Sequence, residues 1–218
     1  MNRLLLLPFL ALCIAGPAAA AQEVPESCQP KVAGVALALA DQADDAQLQC
    51  DVDRAGIVAG RSERLFSFSP DPLVRIVDLG VSPSGAVYVY DIVEEDGLMN
   101  LDARSVPADM DRAASVPVCR LHTVLPDGVT NRVSIALLET ASPDVPGYAE
   151  RVQVVVNPDG SHSSVLLLDS HDVVTTIQTA DGARSFSRNM RQTDKIGALN
   201  ELIIGVANHS DGWTCNTN

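Results

Sequence analysis

Five tight-turn sequences, spread over the last two-thirds of the chain, constrain the fold more than any other feature. They are Ser-Pro-Ser-Gly (82–85), Glu-Glu-Asp-Gly (94–97), Leu-Pro-Asp-Gly (125–128), Asn-Pro-Asp-Gly (157–160) and Thr-Ala-Asp-Gly (179–182). Pro presets one turn dihedral, Asp bonds its own backbone, and Gly accepts a positive φ. Asp-Gly between apolar runs is a strong hairpin signal. The spacing therefore predicts consecutive strands in an antiparallel meander.

Eight segments around these turns have the composition of strands. They are 73–80, 86–93, 117–125, 131–139, 149–156, 163–169, 172–179 and 184–190. In the fourth segment, Val133, Ile135 and Leu137 alternate with polar residues, and the fifth alternates in the same way. A period of two indicates a sheet with one buried face.

Two helices are expected at the ends of this sheet. Ala-rich sequence predicts one over about 35–49, because Ala, Leu and Gln favour helix. The second begins at Thr193 or Asp194, presents one apolar face, and ends near 209–212. The predicted fold class is α+β: an antiparallel β-meander sheet of about seven to eight strands, with an N-terminal and a C-terminal helix packed on it.

The first 21 residues have the plan of a secretory signal peptide. Arg3 gives a positive start, Leu4 to Ile14 is almost wholly apolar, and a run of Ala follows at 18–21. We expect cleavage there, which leaves 22–218 as a single disulfide-stabilised α+β domain. The apolar run is too short to span ~30 Å of hydrocarbon comfortably, so no transmembrane segment is predicted. The expected location is the periplasm or the extracellular space.

Removal of Cys13 with the leader leaves an even number of cysteines: Cys28, Cys50, Cys119 and Cys215. In an exported chain this number favours two disulfides, and four cysteines allow three pairings. The preferred pairing is Cys28–Cys50 and Cys119–Cys215. The first pair requires the chain between its cysteines to double back, because the two Cα atoms must come within about 7 Å.

The charge balance excludes some partners and favours others. The chain has 28 Asp and Glu against 15 Lys and Arg, a net charge of -13. Nucleic-acid binding needs clustered basic residues, and here the only lysines are Lys31 and Lys195, so no nucleic-acid partner is expected. Negative charge favours a basic exported protein as partner. The sequence leaves the oligomeric state open.

Familiar catalytic and metal-binding motifs are absent from the sequence, and no catalytic, cofactor or metal residue is assigned. The stretch 168–172 places Ser170 and His171 between two aspartates, and is interpreted as a polar turn. The other histidines, His122, His162 and His209, are expected to have surface or structural roles. The acidic residues at 41, 44 and 45 are expected to lie on a solvated helix face.

These features predict an exported, acidic, non-catalytic binding or inhibitory module. Two alternatives stay open. The chain is a small extracytoplasmic hydrolase if a pocket brings His171 or His122 within reach of a carboxylate. It is a structural or assembly component of the envelope if long sheet edges with few charges are exposed.

Overall fold

A computed structural model describes residues 25–28, 40–66, 71–109, 115–140, 142, 144–149, 152–166 and 171–216. The helices are α1 (Ala40–Leu65), α2 (Asp127–Thr140) and α3 (Lys195–Asn208), and a 3₁₀ turn covers Glu26–Cys28. The strands are β1 (Val74–Asp78), β2 (Ala86–Glu95), β3 (Leu98–Pro107), β4 (Val118–Val124), β5 (Val152–Val156), β6 (His162–Leu166), β7 (Asp172–Thr179), β8 (Gly182–Asn189) and β9 (Thr214–Asn216).

Seven of these strands form one antiparallel sheet in the order β8-β7-β1-β2-β3-β4-β9. Strands β1 to β4 are a meander, and the β7–β8 hairpin extends it on the β1 side. Four of the five turn sequences join strands as predicted, whereas Leu-Pro-Asp-Gly (125–128) leads into helix α2, which begins at Asp127. In the turn between β2 and β3, Asp96 and Gly97 both have positive φ, at 53° and 77°. Two successive positive φ values are the conformation that Asp-Gly adopts in tight hairpins. The α+β class with an antiparallel sheet is confirmed.

Helices cover both faces of this sheet. Helix α1 contacts β1, β2, β3, β7 and β8 on one face, and α3 contacts β3, β7 and β8 on the other, with α2 packed beside α3. The core under α3 has seventeen buried members and the core under α1 has eight. Both ends of the chain therefore supply a helix to the sheet, as predicted, but the sheet has two buried faces rather than one.

Both disulfides of the preferred pairing are present. Cys28 lies in the 3₁₀ turn, and its Cα is 4.7 Å from that of Cys50 in α1, so the chain does double back. Cys119 and Cys215 are register partners in β4 and β9, with a Cα separation of 4.0 Å. Two disulfides are compatible with an oxidising environment outside the cytoplasm.

The strand predicted at 131–139 is wrong, because these residues belong to helix α2. The same apolar residues satisfy a helical spacing: Val129, Val133 and Leu137 are four apart and pack toward the core under α3. The alternation of Ile135 with its neighbours is incidental, since Ile135 is exposed. A short apolar run is compatible with the period of a strand and with that of a helix. Here the helix is formed because it buries these residues in the core under α3.

Strand β3 was not predicted at all. Its buried face under α1 carries Asp102 and Arg104, which are paired with other charged side chains. Charged residues are rare in buried strand positions unless they are paired, so the sequence does not read as a strand.

Other boundaries also differ. Helix α1 extends to Leu65 and not to about 49 as predicted. The predicted start near 35 lies outside the described part of the chain, which omits residues 29–39. The strands predicted at 149–156 and 163–169 form a separate two-stranded sheet, β5–β6, instead of joining the main one. Among the described residues, no helix combines the length and the apolar character needed to cross a bilayer.

Candidate functional site

A groove of about 440 Å³ lies between α1 and the sheet. Ala55, Gly56 and Ala59 form its α1 wall, and these small side chains hold the helix backbone close to the groove without filling it. Val77 of β1 and Val174 of β7 form part of its floor. An ideal Cβ built on Gly56 meets no atom within 4 Å, so the space beside this helix is open. A volume of this size is typical of a small-molecule or side-chain pocket.

One end of the groove is polar. Glu63, Asp71 and Arg75 line it, together with Thr176 and Gln178 of β7. Arg75 Nη1 donates to Glu63 Oε1 at 2.8 Å. Arg75 Nε and Nη2 donate to the two carboxylate oxygens of Asp91, at 2.9 and 3.2 Å. The groove therefore joins an apolar floor to a set of charged groups.

Arg75 is the first cation of a charge ladder that continues across β2, β3 and β4. Asp91 is fully buried, and it accepts from Arg104, whose side chain is only 1% exposed. Asp102 lies 3.7 Å from Arg104 Nε and accepts two hydrogen bonds from Arg120. Burial lowers the pKa of Arg104, and its two acidic neighbours oppose that shift. Acidic and basic residues alternate, so each buried charge has an opposite neighbour.

The three charged residues that line the polar end of the groove, Glu63, Asp71 and Arg75, sum to one negative charge. Arg75 is balanced by buried Asp91, whose second partner is Arg104. Glu63 is 47% exposed at its side chain, and Asp71 is exposed at the same end. Two solvent-facing carboxylates beside one paired guanidinium leave excess negative charge at the mouth. The arrangement suits a cationic group attached to an apolar body.

Helix α1 itself carries a buried carboxylate, Asp51. Asp51 accepts from Ser187 Oγ at 2.6 Å and from Gln47 Nε2 at 2.9 Å. Burial raises its pKa, and the charge of Asp172 adds to the rise, while the Ser187 hydrogen bond opposes it. These contacts tie α1 to edge strand β8 and define its position over the sheet.

On the opposite face, the structure brings His171 to Asp78 at the end of β1. His171 Nε2 lies 2.7 Å from Asp78 Oδ1, which also accepts from the Gly80 amide at 2.8 Å. Burial raises the pKa of Asp78, although the Gly80 amide and His171 act to lower it. The imidazole lies against Gly80, where a Cβ would stand only 2.4 Å from His171 Cγ. Only Gly fits this contact.

Of the other residues considered from the sequence, those that the structure describes are not assembled into a site. His122 is exposed on β4, and His209 Nδ1 lies 2.7 Å from the Gly205 carbonyl oxygen at the end of α3. Asp169 and Ser170 lie outside the described residues, as does the side chain of His162. Within the described part of the chain, no three His, Cys, Asp or Glu residues are grouped to hold a metal.

Sequence reasoning missed the groove entirely. Its signal was Gly56, a glycine inside a helix that lowers helix stability and so points to a need for space beside that helix. The charge ladder is visible in the sequence only as the charged residues of β3. The sheet register is needed to show which acidic and basic side chains are paired.

The β5–β6 hairpin is the remaining distinctive feature. Its strands pair with each other, and neither Val152–Val156 nor His162–Leu166 contains an Asp, Glu, Lys or Arg. An uncharged strand edge can pair with a further strand.

Comparison with known proteins gives no identity. No family model matches the chain, and no curated protein matches it. A structural match was found with a chain from the crystal structures of Trypanosoma bruciei MRP1/MRP2. It has 14% sequence identity, covers 72% of this chain and 95% of that one, and has a TM-score of 0.26. A TM-score this low carries no argument about fold or function.

Proposed function

We propose that the chain is an exported acidic binding or inhibitory module, which acts in the periplasm or the extracellular space after removal of residues 1–21. The partner is a basic exported protein that inserts a side chain with an apolar stem and a cationic head into the groove under α1. Lys and Arg side chains have this composition. The mature chain, with 28 acidic and 14 basic residues, carries a net charge of -14, which attracts such a partner.

The groove is the observation that carries this proposal. Val77 and Val174 provide an apolar floor for the stem, while Glu63 and Asp71 provide carboxylates for the head. The α1 wall keeps the groove open because residue 56 is Gly. Rim charges mainly accelerate association, so binding should weaken as salt is raised.

Two glycines of α1 give a matched test. Gly56 lines the groove and Gly60 does not, although an added Cβ meets nothing within 4 Å at either position. Gly56→Leu fills the groove, and Gly60→Leu makes the same chemical change one turn along the helix. We expect a partner captured from exported proteins at low salt to be retained by the wild type and Gly60→Leu and lost with Gly56→Leu.

Charge removal completes the experiment. Glu63→Gln/Asp71→Asn keeps the shape of the rim and removes two negative charges, so affinity for the same partner should fall about tenfold or more. The proposal is wrong if the wild type captures no specific protein, or if Gly56→Leu captures the same protein with equal affinity.

A second candidate function, that of a small extracytoplasmic hydrolase, is favoured by the His171–Asp78 contact. His171 Nε2 lies 2.7 Å from Asp78 Oδ1, and a carboxylate beside an imidazole is the arrangement that orients a histidine in many hydrolases. A histidine acting as a general base removes a proton from water or from a hydroxyl group, which accelerates the reaction by ~100-fold or more. Loss of a measured hydrolytic activity in His171→Gln, with intact folding, would support this candidate, and equal activity in both proteins would remove it.

A further inference from the structure

Helix α2 presents an unusual surface for a helix at the outside of a fold. Leu138 is 79% exposed and Ile135 is 57% exposed, and they are three residues apart, so they share one face. Beside them a recess of about 400 Å³ runs between α2 and α3, with Ala136, Ala198 and Leu202 among its lining residues. Two large exposed apolar side chains next to an apolar recess are typical of an interaction surface.

Charged residues flank this surface symmetrically. Arg132 and Glu139 both line the recess, and each lies about 5 Å along the helix axis from the midpoint between Ile135 and Ala136. A two-fold axis through that midpoint makes the helices antiparallel. In this arrangement Arg132 of each copy lies opposite Glu139 of the other, so the interface contains two such pairs. The surface is thus complementary in charge to itself.

The existing partner of Glu139 does not prevent this arrangement. Lys195 Nζ lies 3.7 Å from Glu139 Oε2, and both side chains are about half exposed. Exposed pairs of this kind contribute little and rearrange readily. Glu139 can therefore accept from Arg132 of a second copy while Lys195 stays near.

We propose that α2 is a self-association surface, at which two copies of this chain pack antiparallel about Ile135 and Ala136. Leu138 of each copy enters the recess between α2 and α3 of the other. The interface is isologous, which is the usual arrangement in homodimers. A single 14-residue helix is about 21 Å long, so the buried area is small and the dimer is weak.

Sedimentation velocity on the mature, disulfide-intact protein tests this proposal. From about 5 to 500 µM we expect the wild type to pass from monomer to dimer, with a Kd on the order of 100 µM. Leu138→Lys should stay monomeric throughout, and its exposed position means that folding is unaffected. Val81→Lys is the control variant, because Val81 is also exposed, at 63%, but lies in the loop between β1 and β2. This variant should dimerise like the wild type.

A charge exchange identifies the geometry. Arg132→Glu converts both attractive pairs between the two copies into pairs of like charge, so Kd should rise about tenfold or more. The double variant Arg132→Glu/Glu139→Arg restores both pairs and should return Kd to within about threefold of the wild type. A wild type that remains monomeric, a dimer that survives Leu138→Lys, or a double variant no better than Arg132→Glu overturns the proposal. None of these outcomes depends on the groove under α1.

Discussion

The two faces of the sheet are built on different principles. Under α3 the face is a hydrocarbon core, in which Phe186 and Ile203 are almost fully buried. Under α1 a smaller apolar cluster is followed by a ladder of ion pairs and an open groove. We infer that the larger apolar core under α3 contributes more of the folding stability than the face under α1, which holds buried charges and open space.

The largest expected effect comes from breaking the ladder at its fully buried member. Asp91→Ala leaves Arg104 buried without its main partner, which should cost about 4 kcal/mol of unfolding free energy. Asp91→Leu/Arg104→Met removes both charges and should recover most of that loss. Urea unfolding of the three proteins measures both values. Equal stabilities for Asp91→Ala and the wild type would show that the ladder is not a buried network.

Two neighbouring valines in β1 compare the faces directly. Val74 is fully buried in the core under α3, and Val77 lies under α1 and lines the groove. Val74→Ala should cost about 2.5 kcal/mol, because it creates a new cavity. Val77→Ala should cost about 1 kcal/mol, because it only enlarges existing space. Urea unfolding measures the loss of unfolding free energy in each variant. A larger loss for Val77→Ala than for Val74→Ala would contradict the proposed difference between the two faces.

The two glycines of α1 compare the stability cost of a helical glycine that lines the groove, Gly56, with that of one that does not, Gly60. Gly56→Ala and Gly60→Ala meet no atom within 4 Å, so each should gain about 0.5–1 kcal/mol through helix propensity. Thermal unfolding monitored by circular dichroism measures this gain. A loss of stability at Gly56 would mean that its surroundings are already filled.

The smallest effect concerns pH. Burial raises the pKa of Asp51 above its unfolded value of 3.8, so the folded state binds the proton more tightly. This group therefore stabilises the protein below pH 3.8 relative to higher pH, and stability is lost as pH rises through the folded pKa. The stability of Asp51→Asn relative to the wild type should increase from pH 4 to pH 7 in urea titrations. A constant difference would indicate an unshifted carboxyl group.

The sequence was informative where local chemistry controls structure. The Asp-Gly turns at 96–97, 159–160 and 181–182 lie in hairpins, and the apolar spacing predicts α3 with Thr193 or Asp194 as its cap. Of these two residues Asp194 is the N-cap, because its Oδ1 accepts from the Gly197 amide. Strand β3 and the groove could not be predicted, because their residues depend on partners far along the chain. Arg104 becomes compatible with a buried strand only when Asp91, thirteen residues earlier, lies beside it.

The same limit explains the His171–Asp78 contact. The sequence placed His171 among nearby acidic residues, but its partner is Asp78, which is brought close by the antiparallel pairing of β1 with β7. The prediction of a strand at 131–139 was wrong for a related reason. The apolar spacing fits a helix as well as a strand, and only the contact with the core under α3 selects the helix α2.

Methyl NMR of the mature protein, titrated with hexylammonium and separately with hexanoate, tests the groove most directly. The two probes share an apolar chain and differ in the sign of the head group. We expect hexylammonium to cause saturable shifts at the methyls of Val52, Val77 and Val174, which line the groove, and none at Val74 or Ile203. Hexanoate should have much weaker effects. Absence of saturable shifts at the three groove valines, or equal binding of hexanoate, would contradict the assignment of the groove as a cation-selective binding site.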